Sequence, residues 1–370
     1  MFESPFIRKM DSNGFHSIEV KPVKQINQYL IIQKIGEGSN GRVYLAEDIN
    51  TKKQYAIKRF NLKELQHIEA GISQLEREIN AIRRMEHPNI IKLIEALHVE
   101  ESDMIYLVLD YADCGSLENV INEEKLGMKE IKYIFKKILG AVKYLHSKGT
   151  VHQDIKPSNI LLCSDGRVLL ADFGLGHSFG STAMVVGTPA YQAPEALNDE
   201  DWDDLDPSKE DVWSIGVSLY QTLFGKLPFK GNNVFEIIQN IKQNQLKLPK
   251  NVPPKIEKLL RGMLCVHPSE RMSIDDVINS EFFNGTEDNI RFNFEPIYCQ
   301  SDKLKDKQIK KYNANVCDSN YSFARCSLAH DDLLESYFSP PSSFTDSTDV
   351  PFSGISNSLI NLVLKKVQNN

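Results

Sequence analysis

The chain reads His152-Gln153-Asp154-Ile155-Lys156-Pro157-Ser158-Asn159 shortly after a predicted amphipathic helix that ends at Gly149. Asp154 is placed to take a proton from a hydroxyl group. Asn159, five residues further on, can reach a metal ion, and Lys156 between them can neutralise a phosphoryl group in transfer. The octapeptide therefore predicts phosphoryl-transfer chemistry, which requires a nucleotide site elsewhere in the chain.

The composition is that of an ordinary globular protein. The 370 residues are 41% hydrophobic and 25% charged, with a formal net charge of −7. This mild acidity gives no reason to expect nucleic acid as a partner. No apolar run approaches the roughly 20 residues of a membrane span, and the N-terminus is too polar for a signal peptide. The six cysteines lack CxxC spacing, so we expect reduced thiols and a cytoplasmic location, with nuclear access left open.

Hydrophobic periodicity divides the chain into a strand-rich part and a larger helical part. Strands are predicted from Tyr29 onward, together with one amphipathic helix over 62–86. The sequence predicts an α+β fold with a small antiparallel β-sheet lobe, containing one key helix, and a large, mostly helical lobe. We expect a flexible extension at 1–28, a domain at 29–284 with lobes at 29–110 and 114–284, and a low-complexity, largely disordered tail at 285–370.

A glycine-rich turn precedes the second predicted strand. Gly36, Gly38 and Gly41 would let backbone N–H groups approach phosphate oxygens, because glycine has no Cβ. Such a turn alone is a weak indication, since glycines punctuate many hairpins. The next strand carries Lys58 in Tyr55-Ala56-Ile57-Lys58. Lys58 alone would be interpreted as a surface lysine, but behind this turn it is placed to contact phosphates.

Asp172 follows an apolar strand, in Asp172-Phe173-Gly174. A carboxylate there can bind Mg²⁺, which offsets the charge of a triphosphate. Three further polar residues are expected to be structural. Glu195 should pair with Arg271, Asp211 should anchor the backbone of the 152–159 loop, and His152 should stack beneath Phe173 with Ile82 and Leu93.

These motifs, in this order, resemble the eukaryotic protein-kinase family over residues 29–284. Lys156-Pro157-Ser158-Asn159, together with Gly187-Thr188-Pro189, resembles the serine/threonine branch. The resemblance implies the bilobal protein-kinase fold, ATP and Mg²⁺ as cofactors, and a nucleotide cleft between the lobes. It also implies protein substrates that receive the γ-phosphoryl group on a Ser or Thr hydroxyl.

The resemblance carries functional roles over to the matching positions. The implied catalytic residues are Asp154, Lys156, Asn159, Lys58, Glu78 and Thr188. The implied ATP-binding residues are Ile35, Gly36, Gly38, Gly41, Val43, Ala56, Lys58, Leu109, Asp110, Ala112, Leu161 and Asp172. The implied metal ligands are Asn159 and Asp172. In this scheme Glu78 holds Lys58 through an ion pair, and Thr188 lies beside the peptide site.

The helical lobe resembles a narrower group, liver kinase B and the calcium/calmodulin-dependent kinase kinases. The resemblance is carried by GTPAYQAPEALN, DVWSIGVSLYQTLFGKLPF and LLRGMLCVHPSERMSIDDVINSEFF. It implies activation loops of other kinases as one candidate substrate class. It also implies an activating protein partner as a candidate, because liver kinase B relies on pseudokinase and scaffold partners.

Gln153 departs from the family pattern, which has Arg before the catalytic Asp. In many kinases that Arg holds a phosphorylated residue of the activation segment. By resemblance, the other pocket positions are Gln74 and His177, and the usual phosphosite is Met184. This sequence therefore lacks both the residue that is usually phosphorylated and the basic residues that would bind the phosphate. We expect activation that does not depend on phosphorylation at this site, with a partner, a tail or intrinsic packing ordering the segment.

Two other classes of function compete with an active protein kinase. A pseudokinase would bind nucleotide or partners without catalysis, but it should have lost one of the four polar residues Lys58, Asp154, Asn159 and Asp172, and all are present. A kinase of small molecules is disfavoured by the complete activation segment. Neither a nucleic-acid partner nor a membrane is expected.

Overall fold

The computed structural model describes residues 6–10, 16–20, 24–38, 41–67, 71–99, 102–122, 126–172, 189–197, 206–231, 233–243, 246–292 and 294. They form a small, sheet-based lobe and a larger helical lobe, so the predicted α+β bilobal architecture is confirmed. Within these ranges, no helix is both long and apolar enough to cross a membrane.

The small lobe is built on an antiparallel sheet. Its strands are β3 (Gln25–Ile26), β4 (Tyr29–Gly38), β5 (Gly41–Asp48), β6 (Gln54–Asn61), β7 (Leu93–Val99) and β8 (Met104–Asp110). Their order in the sheet is β3-β4-β5-β6-β8-β7. Two earlier strands, β1 (Phe6–Met10) and β2 (His16–Val20), pair with each other inside the region for which the sequence predicts an extension.

The register of this sheet gathers one set of side chains on the face toward the large lobe. Val43 pairs with Lys58, and Ala56 pairs with Leu109. Side chains alternate along a strand, so all four lie on the same face. Residues of the opposite face, such as Ile57, belong to a separate apolar cluster. A one-residue slip would reverse this arrangement, so the buried faces determine the register.

Two helices cover the segment where one helix over 62–86 is predicted. They are α1 (Leu62–Gln66) and α2 (Gly71–Arg84). Leu75, Ile79 and Ile82 of α2 are buried, as their spacing predicts. The prediction of a single continuous helix is wrong, because α1 ends at Gln66, where the N–H of His67 caps the carbonyls of Glu64 and Leu65.

The large lobe consists mainly of helices. They are α3 (Leu117–Asn122), α4 (Met128–Ser147), α5 (Ser208–Phe224), α6 (Val234–Lys242), α7 (Pro254–Met263) and α8 (Ile274–Ile278), with the short antiparallel strands β9 (Ile160–Leu162) and β10 (Val168–Leu170). Helix α5 is buried on most of its circumference, and Trp213 stacks on Phe229 with ring centroids 5.5 Å apart. The loops that connect these helices and strands are therefore supported by an apolar core around α5.

The two lobes share one apolar core. A single cluster of buried residues includes Leu107 of β8, Ile82 of α2 and Ile134 of α4. The N–H of Ile91 donates to the carbonyl of Leu170 at 2.9 Å, which links the segment before β7 to β10. These contacts hold the loop after β10 directly beneath the sheet.

Residues 285–292 pack against the large lobe. Phe292 is buried and meets the Tyr133 ring edge-on, with centroids 6.0 Å apart. Gly166 has a φ of 94°, and a Cβ there would lie 1.9 Å from the carbonyl oxygen of Ile290. Glycine is therefore required at 166 both for conformation and for space.

Candidate active site

Asp211 of α5 holds the loop that carries Asp154. Its Oδ2 accepts the N–H of His152 at 2.9 Å, and its Oδ1 accepts the N–H of Gln153 at 2.8 Å. Gln153 has a φ of 65°, in the left-handed region that non-glycine residues seldom adopt. Hydrogen bonds to a carboxylate are about twice as strong as neutral ones, so they can stabilise this strained backbone. The predicted anchoring role of Asp211 is confirmed.

Asp154, Lys156 and Asn159 form one polar cluster. Asp154 Oδ1 accepts a hydrogen bond from Lys156 Nζ at 2.9 Å, and its Oδ2 accepts one from Asn159 Nδ2 at 2.8 Å. Asn159 Nδ2 also donates to the carbonyl of Asp154 at 2.8 Å. The 3₁₀ turn at Pro157–Asn159 brings Asn159 back to Asp154, five residues earlier in the chain. The carboxylate is thus held in one orientation by a cation and an amide.

Lys58 and Asp172 connect the sheet to the loop after β10. Lys58 Nζ lies 2.6 Å from Asp172 Oδ1, and Lys58 is 4% exposed. Burial would raise the pKa of Asp172, but the charge and hydrogen bond of Lys58, together with nearby His152 and Lys156, hold that pKa below its ordinary value. Asp172 has a φ of 57°, a second strained backbone position at this site. The carboxylate is therefore kept ionised.

The residues predicted to surround a nucleotide lie on strands of the small lobe, on β9 and on the segments that follow β8 and β10. From the small lobe come Ile35, Gly36 and Gly38 of β4, Gly41 and Val43 of β5, Ala56 and Lys58 of β6, and Leu109 and Asp110 of β8. Ala112 follows β8, Leu161 lies on β9 below, and Asp172 follows β10. Gly41 has a φ of 115°, and a Cβ there would lie 2.4 Å from the Arg59 carbonyl oxygen. Glycine is therefore required at 41 both for its positive φ and for the close approach of β6.

Two predicted catalytic residues lie wholly or partly outside the described residues. Glu78 lies in α2, but its side chain is outside the described residues, as is all of Thr188. The predicted Lys58–Glu78 ion pair and the peptide-site role of Thr188 stay predictions. The predicted stacking of His152 on Phe173 likewise falls outside the described residues.

His152 is fully buried beside this cluster. Its Nδ1 accepts the N–H of Asp154 at 3.3 Å, and its Nε2 faces the carbonyl of Ala171 at 3.1 Å. Burial lowers the pKa of His152, which favours the neutral ring that this donor and acceptor pattern needs. The ring therefore joins the Asp154 loop to the strand before Asp172, in agreement with a structural role.

The predicted pair of Glu195 and Arg271 is confirmed. Arg271 donates to both Glu195 oxygens, at 2.5 and 2.9 Å, and both side chains are buried. Arg271 also donates to the Cys265, Val266 and Lys209 carbonyls. A buried guanidinium with this many acceptors ties the 189–197 segment to the helices below it.

Sequence reasoning missed His146, whose Nε2 lies 2.8 Å from Asp211 Oδ2. Its position on the polar side of α4 gave no signal, since polar residues there are usually solvated. Asp113 was also missed. Asp113 lies in the segment after β8. It accepts hydrogen bonds from the Ser164 N–H at 2.8 Å and from the Ser164 hydroxyl at 2.5 Å, which fixes this segment to the loop between β9 and β10.

The two lobes, the Lys58–Asp172 pair and the loop that carries Asp154 together define the architecture of a bilobal phosphotransferase. The description "Protein kinase domain" matches residues 29–283, most of the chain, so the chain belongs to the protein kinase family. The predicted resemblance to this family and to its serine/threonine branch is confirmed.

Curated relatives agree with this membership. The chain is 33% identical over 287 residues to serine/threonine-protein kinase STK11 of Rattus norvegicus, covering 75% of this chain and 65% of the relative. The Xenopus laevis STK11 is 34% identical with 75% and 66% covered. CBL-interacting serine/threonine-protein kinase 20 of Arabidopsis thaliana is 32% identical over 280 residues, with 74% and 61% covered. The chain thus spans slightly less than two thirds of the length of these relatives. STK11, also called LKB1, is the liver kinase B named above, so that part of the group resemblance is confirmed.

Proposed function

We propose that this chain is a serine/threonine protein kinase that transfers the γ-phosphoryl group of ATP to a Ser or Thr hydroxyl of a protein. The observation that carries the proposal is the cluster of Asp154, Lys156 and Asn159 below the Lys58–Asp172 pair. Asp154 is buried to 8% exposure and is held at both oxygens, so it is pre-oriented to accept the proton of an incoming hydroxyl.

The remaining polar groups suit the charges of the transfer. Lys156 lies next to Asp154 and supplies positive charge where the phosphoryl group would pass. Lys58 carries positive charge at the small-lobe side of the cleft, where the α- and β-phosphates would bind. Gly36, Gly38 and Gly41 border the same side, and their backbone N–H groups can approach phosphate oxygens.

Asn159 and Asp172 fit the role of Mg²⁺ ligands. The hydrogen bonds described for the Asn159 side chain all use Nδ2, which leaves its Oδ1 as a ligand oxygen. Asp172 bonds Lys58 through Oδ1, which leaves Oδ2 for the metal. Mg²⁺ in kinases is held by one or two protein oxygens together with phosphate oxygens. When bound, the ion neutralises the triphosphate and orients it.

The alternative of a pseudokinase has no supporting observation, since all four polar positions carry the groups that the chemistry needs. An assay tests the proposal directly. The purified chain with Mg-ATP and a peptide library should transfer phosphate, whereas Asp154→Asn should not. Transfer no greater than that of Asp154→Asn would overturn the proposal.

We further propose that activity does not depend on a phosphate at the position of Met184. The surroundings of Gln153 support this. Glu210 lies next to the Gln153 amide, and burial raises the pKa of Glu210, with further increases from Glu195 and Asp211. Arg271, the guanidinium beside these carboxylates, is occupied by Glu195. A phosphate would therefore meet carboxylates and a neutral amide instead of arginine.

Phosphatase treatment tests this regulation separately from the chemistry. We expect a phosphatase-treated chain to keep its activity, with an activating protein partner or packing ordering the activation segment. Loss of most activity, with a phosphosite mapped within residues 175–188, would contradict the proposal. The activation loops of other kinases are the substrate class that we propose to test first, on the resemblance to the liver kinase B group.

We also propose the predicted domain limits and a cytoplasmic location. The limits are an extension at 1–28, a domain at 29–284 and a tail at 285–370, although residues 285–292 pack on the large lobe. Cys114 and Cys163 are buried free thiols, and unpaired cysteines are usual in a reducing compartment. Fractionation of cells that express the chain tests the location.

A further inference from the structure

A pocket of about 310 Å³ opens on the large lobe, between the end of α5 and the segment that precedes α7. Its floor is apolar and is formed by the side chains of Tyr220, Leu227, Pro228 and Phe229. None of the residues that line it belongs to the cleft described above. The pocket is therefore a second concave surface whose chemistry the proposed reaction does not use.

The walls of this pocket are fixed by two hydrogen bonds that join separate segments of the chain. The Tyr220 hydroxyl donates to the carbonyl of Lys247 at 2.6 Å, and Asn240 Nδ2 donates to the carbonyl of Lys230 at 2.6 Å. Phe229 is 2% exposed and stacks on Trp213, which anchors the floor in the core. These contacts therefore maintain the concave shape of the pocket.

Three lysines, Lys226, Lys230 and Lys247, line the rim of the pocket. All three are exposed. Within the part of the chain that the structure describes, none of the three ammonium groups has a carboxylate at salt-bridge distance, although many other lysines do, such as Lys129 with Glu287 at 2.7 Å. An apolar floor with a rim of three unpaired cations is complementary to a short acidic segment that also carries large apolar side chains.

The chain contains such a segment. Residues Asp331-Asp332-Leu333-Leu334-Glu335-Ser336-Tyr337-Phe338 combine three acidic residues with two leucines and two aromatic residues. We propose that this acidic segment, residues 331–338, docks in cis on the Lys226–Lys230–Lys247 pocket. Its carboxylates would pair with the three lysines, and a leucine or aromatic side chain would cover the apolar floor.

The length of the intervening chain permits this contact. The 36 residues from 295 to 330 separate the described lobe from the acidic segment. A flexible chain of that length spans roughly 33 Å, about the diameter of a small domain. A linker of this length gives the acidic segment an effective concentration of about 1 mM at the pocket. Even a weak interaction would then be formed in a large fraction of the molecules.

Zero-length carbodiimide cross-linking of the full chain, followed by peptide mass spectrometry, tests the proposal, because it joins lysine only to carboxylates in contact. We expect cross-links in the monomer between the three rim lysines and Asp331, Asp332 or Glu335. The double variant Lys226→Glu/Lys230→Glu should reduce them about tenfold, since two exposed ion pairs become repulsive. The matched control is Lys255→Glu/Lys258→Glu, which makes the same charge change at exposed lysines of α7 and should leave them unchanged.

A charge swap excludes indirect effects of the substitutions. Combining Lys226→Glu/Lys230→Glu with Asp331→Lys/Asp332→Lys should restore cross-links between the same two regions. Three outcomes would overturn the proposal: no cross-links above those of the control lysines, cross-links found only in a dimer, or equal loss in both double variants. The readout does not require kinase activity, so its failure would leave the proposed reaction untouched.

Discussion

Asp211 Oδ1 on α5 lies 2.8 Å from the backbone nitrogen of Gln153, the residue that directly precedes Asp154. This contact spans 58 residues of sequence and holds Gln153 at a φ of 65°. The side chain at position 153, where many kinases carry a phosphate-binding arginine, is neutral. The loop geometry thus depends on a buried carboxylate.

Asp211→Asn should loosen this loop. One of its oxygens becomes an NH₂ group that cannot accept from either N–H, so at least one buried donor loses its partner. We expect a loss of about 1–3 kcal/mol in the free energy of unfolding, with a large fall in kcat. Urea unfolding and initial-rate kinetics measure the two effects. The control Asp275→Asn removes an exposed pair with Lys143 and should change stability by less than about 1 kcal/mol. Equal effects of both substitutions would contradict the anchoring role.

Lys58→Met should raise the pKa of Asp172. In the folded wild type burial opposes ionisation, yet this pKa lies below its ordinary value of 3.8, because Lys58 contributes both charge and a hydrogen bond, with help from His152 and Lys156. The pair therefore contributes stability above about pH 4, and that contribution is lost as the pH falls through the folded pKa. Without Lys58, burial should shift the pKa above 3.8. Carbon-13 NMR titration of the Asp172 carboxyl measures this, with Lys53→Met, an exposed lysine, as the control. An unchanged titration in Lys58→Met would contradict the ion pair.

Arg271→Met should be among the most destabilising substitutions in the large lobe. It leaves the buried Glu195 carboxylate without its bidentate partner. We therefore expect the free energy of unfolding to fall by about 3–5 kcal/mol. Arg261→Met removes an exposed partner of Glu257 on α7 and should cost less than about 0.5 kcal/mol. Thermal unfolding of both variants gives the comparison. Similar melting temperatures for the two variants would show that the buried pair is not a structural link.

Gly166→Ala should detach residues 285–292 from the large lobe. The added Cβ meets the carbonyl of Ile290 at 1.9 Å, and the φ of 94° is itself unfavourable for alanine. Gly149→Ala is the matched control, with a φ of 68° but no atom within 4 Å of its added Cβ. We expect strain of about 1–2 kcal/mol in the control and a larger loss at 166. Hydrogen exchange around Phe292 should rise only in Gly166→Ala, and protection there in both variants would contradict the contact.

Much of the site was predictable because short motifs carry their own chemistry. The spacing of Asp154, Lys156 and Asn159 is visible in the sequence as a motif, and the kinase-type order of motifs placed Val43, Ala56 and Lys58 on neighbouring strands. The boundary between α1 and α2 was not predictable, since apolar residues with helical spacing continue through the segment. The packing of residues 285–292 was not predictable either, because its contacts with Tyr133 and Gly166 are distant in sequence.

The motifs in the amino-acid sequence were sufficient to determine the family and the order of the lobes, and they predict the reacting groups. Tertiary structure alone decided how those groups are held. Lys58 meets Asp172 across 114 residues, and Asp211 reaches Gln153 and His152 from a different helix. Such contacts depend on how buried faces pack in three dimensions, and no pattern of neighbouring residues encodes the distance between them. The pocket rimmed by Lys226, Lys230 and Lys247 likewise depends on contacts between segments that are separate in sequence.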